Sequence, residues 1–374
     1  MNLTVALDAT PLQGPRTGIG EFCARALEGL GRRPDLKVGG FAVSRHGRAA
    51  IAGRLPPGVA LLGRPGPGLP ARALHRAWAH WAFPPAELFT GQVDVVHGTN
   101  FVVPPSRRAA MVVTVHDLTP LHFPEFCLPA ARAYPDLVKK AVRRGAWVHA
   151  DSHFVAEEVV DALGVPPERV RTVYLGTSAP GPAGDMTGLL PDWVTGYVLA
   201  VGRVEPRKDL PLLVSAFGRL APGHPGLALV IAGPDGWGGE ELGRAIAGCP
   251  AGDRVVRLGW VEAAVRDTLI RGATAYAYPS RYEGFGLAPL QAMAAGTPVV
   301  ATDAGALREV LGDGARLVAP GDPDALTEAL GELVADAGAR DALARRGLEQ
   351  AARYSWEACA DGLAALYHEA AGLA

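Results

Sequence analysis

Apolar residues along this chain fall into short runs separated by stretches in which they recur every three or four positions. Short apolar runs bounded by turn residues read as buried strands, and the longer period reads as amphipathic helix. Over residues 1–175 the expected strands are Leu3–Leu7, Val38–Val43, Val93–His97, Met111–Val115, Val148–Ala150 and Val170–Tyr174. Expected helices are Ile19–Leu30, Pro129–Arg144 and His153–Leu163, the last with Ser152 as N-cap. Strand and helix alternate, so this part reads as α/β, a parallel sheet with crossover helices. Thr177–Pro191 (TSAPGPAGDMTGLLP) breaks the pattern: it is rich in Gly and Pro and reads as an interdomain linker. The alternation resumes with strands at Tyr197–Gly202, Leu227–Gly233, Val255–Leu258, Ala273–Ala277, Pro298–Ala301 and Arg316–Val318. Helical patterns follow at Asp322–Ala335, Asp341–Tyr354 and Ser355–Ala371. A second doubly wound sheet is therefore expected.

Length agrees with that division, because 374 residues exceed what one hydrophobic core usually supports. No long uncharged apolar run suggests a membrane span, and the start, MNLTVALDATP, lacks the basic and apolar blocks of a secretory signal. Cys23, Cys127, Cys249 and Cys359 are scattered, as thiols in a reducing cytoplasm would be; no disulfide frame or zinc spacing is present. A net charge of −2 conceals an asymmetry. Residues 1–150 carry 18 Lys+Arg against 9 Asp+Glu, and the remainder 18 against 29. A basic first half fits an anionic acceptor or a lipid surface, with Arg-rich genomic composition as the plain alternative. Nothing in the pattern calls for nucleic acid.

The stretch with most chemistry is Tyr278–Val300, YPSRYEGFGLAPLQAMAAGTPVV. It reads as a strand end, a glycine turn, a short helix and a new strand. Gly284 and Gly286 let the backbone approach a ligand, and the amides of Phe285, Gly286 and Leu287 would head the helix, which favours an anion. Gln291 falls within the apolar stripe of Leu287, Leu290 and Ala294, where its amide needs a partner; a ligand hydroxyl or a neighbouring loop would serve. Upstream, Arg203-Val-Glu-Pro-Arg-Lys208 precedes the helix Leu210–Leu220, with Asp209 expected as its N-cap. Cations at a helix head oppose the macrodipole unless an anion lies between them.

These segments resemble the nucleotide-sugar signature of retaining glycosyltransferase family 4. Glu283 matches its first acidic position, and the glycine turn and AxxxGTPVVA also match, while Gln291 stands where a second Glu is commoner. The resemblance implies that Arg203 and Lys208, rather than Arg207, clamp the donor diphosphate with the amides of Phe285, Gly286 and Leu287. It further implies that Gln291 holds the ribose and that Val261, in LGWV, reads the base. TVHDLTPLHFPEF resembles the segment carrying a histidine beside the transferred sugar, so His116 and Glu283 become the expected catalytic pair. The turn Thr17-Gly18-Ile19-Gly20 is similar to the family's loop near the acceptor. It is not a dinucleotide fingerprint, since Cys23 replaces the third glycine. His97 and Asn100 also end a strand at an expected cleft.

Several features keep a plain reading. Asp322-Pro-Asp324 looks like a metal motif, but its Pro at N1 makes it a helix cap, and no metal or cofactor is expected. Pro70–Phe83, with its Trp and Arg, reads as an ordinary helix with an interfacial segment as the alternative. Lys139, Lys140, Arg143 and Arg144 read as a solvated helix face. Taken together, the resemblance implies a GT-B fold: two Rossmann-like domains facing a cleft, residues 1–190 joined by about 355–374, and residues 191–354 binding the donor. It implies retaining transfer of a sugar, with GDP-mannose preferred, from a nucleotide-sugar donor to a glycan or lipid-linked acceptor. The alternatives are a UDP-sugar 2-epimerase of the same architecture and a degenerate non-catalytic subunit.

Overall fold

The protein is described by a computed structural model covering residues 2–14, 18–63, 70–178 and 180–372. It divides into two compact units, Met1–Gly176 with Ser355–Ala374, and Thr177–Tyr354. The first holds strands β1 (Leu3–Asp8), β2 (Leu36–Phe41), β3 (Ala60–Leu61), β4 (Val95–Gly98), β5 (Ala110–Val115), β6 (Trp147–Ala150) and β7 (Val170–Thr172). They form one sheet in the order β3-β2-β1-β4-β5-β6-β7, every pair parallel. The second holds β8 (Gly196–Val201), β9 (Leu227–Ala232), β10 (Val255–Gly259), β11 (Ala275–Tyr278), β12 (Val299–Thr302) and β13 (Ala315–Val318), ordered β10-β9-β8-β11-β12-β13, again all parallel.

Parallel sheets covered on both faces need strands that are apolar throughout, and β9, LALVIA, is buried at every position. Leu213, Phe217 and Leu220 of the helix Leu210–Leu220 close one face of the second core with Leu326 and Leu330 of Pro323–Ala335. Each such side chain contributes about 1.5–3 kcal/mol on burial. In the first unit, Leu74, Trp78, Phe89, Val113 and Val148 belong to one core, with Leu163 from the helix His153–Leu163. That helix begins where Ser152 accepts from the Val155 amide. Trp356–Ala370 also belongs to the first unit; its Ala360 methyl group packs where a side chain on Gly29 would stand.

Some expectations shift. Tyr134–Arg143 is shorter than the expected Pro129–Arg144, because a 3-10 turn at Ala131–Ala133 precedes it and Pro135 occupies its first turn. The edge strand β3 has only two residues, too few to show a period. Ala337–Ala351 starts before Asp341 because the Asp336 carboxylate caps the amides of Gly338 and Ala339. Asp322 caps Asp324 and Ala325, the capping reading of PGDPDAL. Thr177–Pro191 is bonded to the second unit, the amides of Gly181 and Gly184 donating to the side chains of Asp267 and Thr268. Pro70–Phe83 contains the helix Ala71–His80, which buries Leu74 and Trp78 and is followed by exposed Trp81 and Phe83.

Candidate active site

In the second unit two loops leave the carboxyl ends of neighbouring strands β8 and β11 and are tied to one another. The Arg281 amide donates to the Arg207 carbonyl at 2.9 Å, and Arg281 Nε reaches Asp209 Oδ2 at 2.7 Å. Arg207 Nη1 donates to the Tyr282 carbonyl at 2.7 Å and pairs with Glu283 Oε1. Asp209 stands at the expected N-cap position but its side chain does not cap: its backbone is left-handed, with φ of 46°, and its carboxylate is turned to Arg281 instead of the helix amides.

Glu283 is buried, and the same oxygen that meets Arg207 also accepts from Tyr278 OH at 2.7 Å and Ser280 Oγ at 2.8 Å. Its carbonyl accepts from the Ala306 amide at 2.8 Å, so both backbone and side chain are fixed. Oε2 accepts no hydrogen bond among the described residues. Burial, then the Glu283 charge, holds the Tyr278 phenol well above its ordinary pKa, so it remains a donor. Gly305, at φ of 60°, lies against this carbonyl; a Cβ there would come within 2.2 Å of it.

Lys208 occupies the space between these loops. Its ammonium lies where a side chain on Gly202 would be and 5.9 Å from the centre of the Tyr278 ring. Unlike Arg207, it forms no ion pair or hydrogen bond through Nζ among the described residues. Burial lowers its pKa, while Glu283 works in the opposite direction. Arg203 is exposed and leans toward Glu205, 3.8 Å away. Three cations thus face two carboxylates, Glu205 and Glu283. A small hollow lined by Val201, Gly202, Lys208, Ile231 and Tyr278 opens here.

Three residues beyond Glu283, Gly286 takes a left-handed conformation, φ 92° and ψ 45°, and begins the helix Leu287–Ala294. No side chain caps that helix and its first turn holds no acid, so its positive end faces the loop uncompensated among the described residues. The Phe285 ring is buried edge-on against Tyr354, 5.8 Å between centroids. Gln291 is half-buried and its amide has no partner among the described residues. Val261 is half-buried behind exposed Trp260, past the end of edge strand β10; β9 separates it from the loops of β8 and β11.

In the first unit the expected residues are more fully engaged. His116 follows β5 and is buried, with Nδ1 on Asp151 Oδ2 at 2.6 Å and Nε2 on the Thr99 carbonyl at 2.9 Å. Both acceptors are satisfied at once only when both nitrogens donate, which is the imidazolium form. Burial disfavours that charge, but Asp151 and the Thr99 carbonyl raise its pKa above the ordinary histidine value. His97, expected at a cleft, is instead wholly buried: Nδ1 meets Tyr367 OH and Nε2 meets Thr114 Oγ1, both at 2.7 Å. Thr114 continues to His149, whose other nitrogen meets the Val173 carbonyl. Gly18 and Gly20 form the first turn of the helix Gly18–Gly31, with Gly20 buried; Thr17 lies outside the described residues.

Comparison with known proteins decides what this frame is. Residues 195–350 match the model of glycosyl transferases group 1, and residues 17–179 that of Glycosyltransferase Family 4. The O-antigen chain mannosyltransferase B of Escherichia coli is 30% identical over 280 residues, 71% of each chain. The chain belongs to glycosyltransferase family 4. It is an enzyme that transfers sugars, and its two parallel sheets are those of the GT-B fold. Sucrose-phosphate synthase of Thermosynechococcus elongatus shares this fold with a TM-score of 0.76 at 21% identity, covering 100% of both chains. Anabaena HepE, in complex with UDP and glucose, does so with a TM-score of 0.72 at 20% identity, covering 98% of this chain and 99% of that one.

For this family-4 enzyme, sequence reasoning set Arg207 aside and overlooked Tyr278 and Ser280, which fix the Glu283 carboxylate. The signal available was positional: Tyr278, Ser280 and Glu283 are spaced to meet across a single turn after a strand. Among the described residues no cluster of three or more His, Cys, Asp or Glu could hold a metal, and no helix is long and apolar enough to cross a membrane.

Proposed function

We propose that this family-4 glycosyltransferase moves a sugar from a nucleotide donor to a hydroxyl of a glycan or lipid-linked acceptor with retention at the anomeric carbon. GDP-mannose is the preferred donor, a choice supported by the mannosyltransferase relative. The observation that carries the reading is the half-buried Lys208 ammonium, without a carboxylate partner among the described residues, in the same pair of loops as an uncapped helix head. A diphosphate satisfies both. Lys208, Arg203 and the amides of Phe285, Gly286 and Leu287 then stabilise the departing diphosphate, and preorganised charge of this kind is the largest single term in many enzymes.

Glu283 presents Oε2 to the sugar, held in place by Arg207, Tyr278 and Ser280. Gln291 bonds the ribose and Val261 meets the base. His116 acts as a positioning residue, since both ring nitrogens are bound to the protein; with Gly18 and Gly20 it is assigned to the acceptor side. The exposed Trp81 and Phe83, within the basic stretch 1–150, suit a lipid surface.

HepE, solved with UDP and glucose, favours UDP-glucose as the second donor reading. A donor panel with the product anomer read by NMR separates the cases. Retained transfer from GDP-mannose, lost in Lys208→Ala, supports the proposal. Transfer from UDP-glucose alone replaces the donor, while epimer formation without transfer points to the 2-epimerase.

A further inference from the structure

The carboxyl edge of the first sheet carries side-chain oxygens that the fold leaves open. Asp8 ends the central strand β1. Its Oδ1 accepts from the Thr10 amide at 2.9 Å and the Thr10 hydroxyl at 2.5 Å, whereas Oδ2 accepts nothing among the described residues. Asp8 is half-buried, so that oxygen is not sealed away. The Thr99 hydroxyl donates to the Asp8 carbonyl at 2.6 Å, which sets Asn100 in the loop beside it. The Asn100 carboxamide oxygen is buried without a partner among the described residues, and so is the hydroxyl of Thr119, itself 6% exposed, one loop further along. Phe101 adopts φ of 58°, a left-handed backbone that an aromatic residue rarely takes, and its amide is bonded to the Thr114 carbonyl at 2.9 Å. The loop carrying Asn100 is therefore fixed.

Buried polar atoms are nearly always satisfied in folded proteins, by protein, water or ligand. Oxygens that only accept call for hydroxyl or amine donors, and the Asp8, Asp117 and Asp151 carboxylates along this edge oppose a phosphate. We infer that Asp8 and Asn100 hold the sugar acceptor by hydrogen bonds to two of its hydroxyls, so that the acceptor offers this edge a neutral polyhydroxylated ring. This rests on the transferase reading and adds an acceptor class to it. Burial raises the Asp8 carboxyl to a pKa of about 6, against the bonds from Thr10. The groups packed around it are Thr10, Thr99 and the Cys23 thiol, which burial holds un-ionised, with His116 on the other side of Thr99. Acceptor binding is therefore expected to depend on pH around that value.

The test uses the full chain with GDP-mannose and UDP-glucose as donors. Acceptors are methyl α-D-mannopyranoside, myo-inositol, myo-inositol 1-phosphate and octanol. Transfer to the neutral polyols is expected, with acceptor kcat/KM lower by about tenfold or more in Asp8→Asn and in Asn100→Ala, as loss of a substrate hydrogen bond implies. Donor KM stays within about twofold of wild type. Acceptor kcat/KM in the wild type rises through about pH 6 and the rise is absent from Asp8→Asn. Melting temperatures show whether each variant folds, and Asn100→Ala carries the test if Asp8→Asn does not. Unchanged acceptor kinetics in a folded variant, a retained pH rise, or transfer only to the phosphate or to octanol overturns the inference. So does transfer to no polyol at all. In that event a melting-temperature rise with GDP or UDP leaves the transferase reading standing, and no rise removes it too.

Discussion

The two units are the same kind of sheet, yet their carboxyl edges treat charge in opposite ways. In the first, the ring of His116 is bound at both nitrogens, and His97 and His149 are links in a buried chain. In the second, Arg207 is bound to Glu283 while Lys208, one residue on, is bound to no carboxylate among the described residues. A residue type with catalytic potential can serve as framework. What separates the two roles is whether the protein has already satisfied it.

Variants test that contrast, beginning with the largest effect. Arg207→Ala strands the buried Glu283 carboxylate, and losing one partner of a buried pair costs about 3–5 kcal/mol. Chemical denaturation of the second unit should show this loss. Lys208→Ala should do the reverse, leaving denaturation nearly unchanged while kcat/KM for transfer falls by about 10²–10³. If Lys208→Ala unfolds the protein as readily as Arg207→Ala does, Lys208 is framework as well and the contrast fails.

Tyr367→Phe removes the hydroxyl facing His97 Nδ1 inside the first core, at a cost of about 1–3 kcal/mol with donor binding unaffected. Hydrogen exchange in β4 and β5 would locate the loss. The pH dependence is gentler. Burial depresses the pKa of His97 and His149, so the unfolded chain binds more protons and stability falls as pH drops below about 6.5. His116 is raised, so its contribution is complete below about 6.5 and fades as pH climbs past its folded value. Urea unfolding of the first unit should therefore be most resistant near neutrality, and His116→Gln should remove only the alkaline decline. Smallest of all, Gln291→Glu should change donor KM by about threefold or less, since a half-exposed hydrogen bond contributes about 0.5–1.5 kcal/mol.

The strands were legible because doubly buried β segments such as β9 are apolar at every position, a pattern that needs no partner to be seen. The helix caps Ser152 and Asp322 were legible for a similar reason: each acts on amides two or three residues ahead. What escaped was set by contacts between distant segments. Asp209 has the composition of an N-cap, but Arg281, 72 residues away, draws its carboxylate. His97 looked like a site residue because strand ends face ligands in such folds, and only Tyr367, 270 residues on, reveals it as core. Arg207 and Lys208 are neighbours in sequence, and nothing local says which of them Glu283 takes.

Residues 356–370 close the first unit although they are made after the whole of the second. They bring Tyr367 to His97, Asp361 to Arg33, His368 to Asp35 and Glu369 to Arg171. Domains commonly mature in the order in which they leave the ribosome. Here the first unit takes a segment that follows the second in the chain, so Tyr367 can reach His97 only after the second unit has been translated.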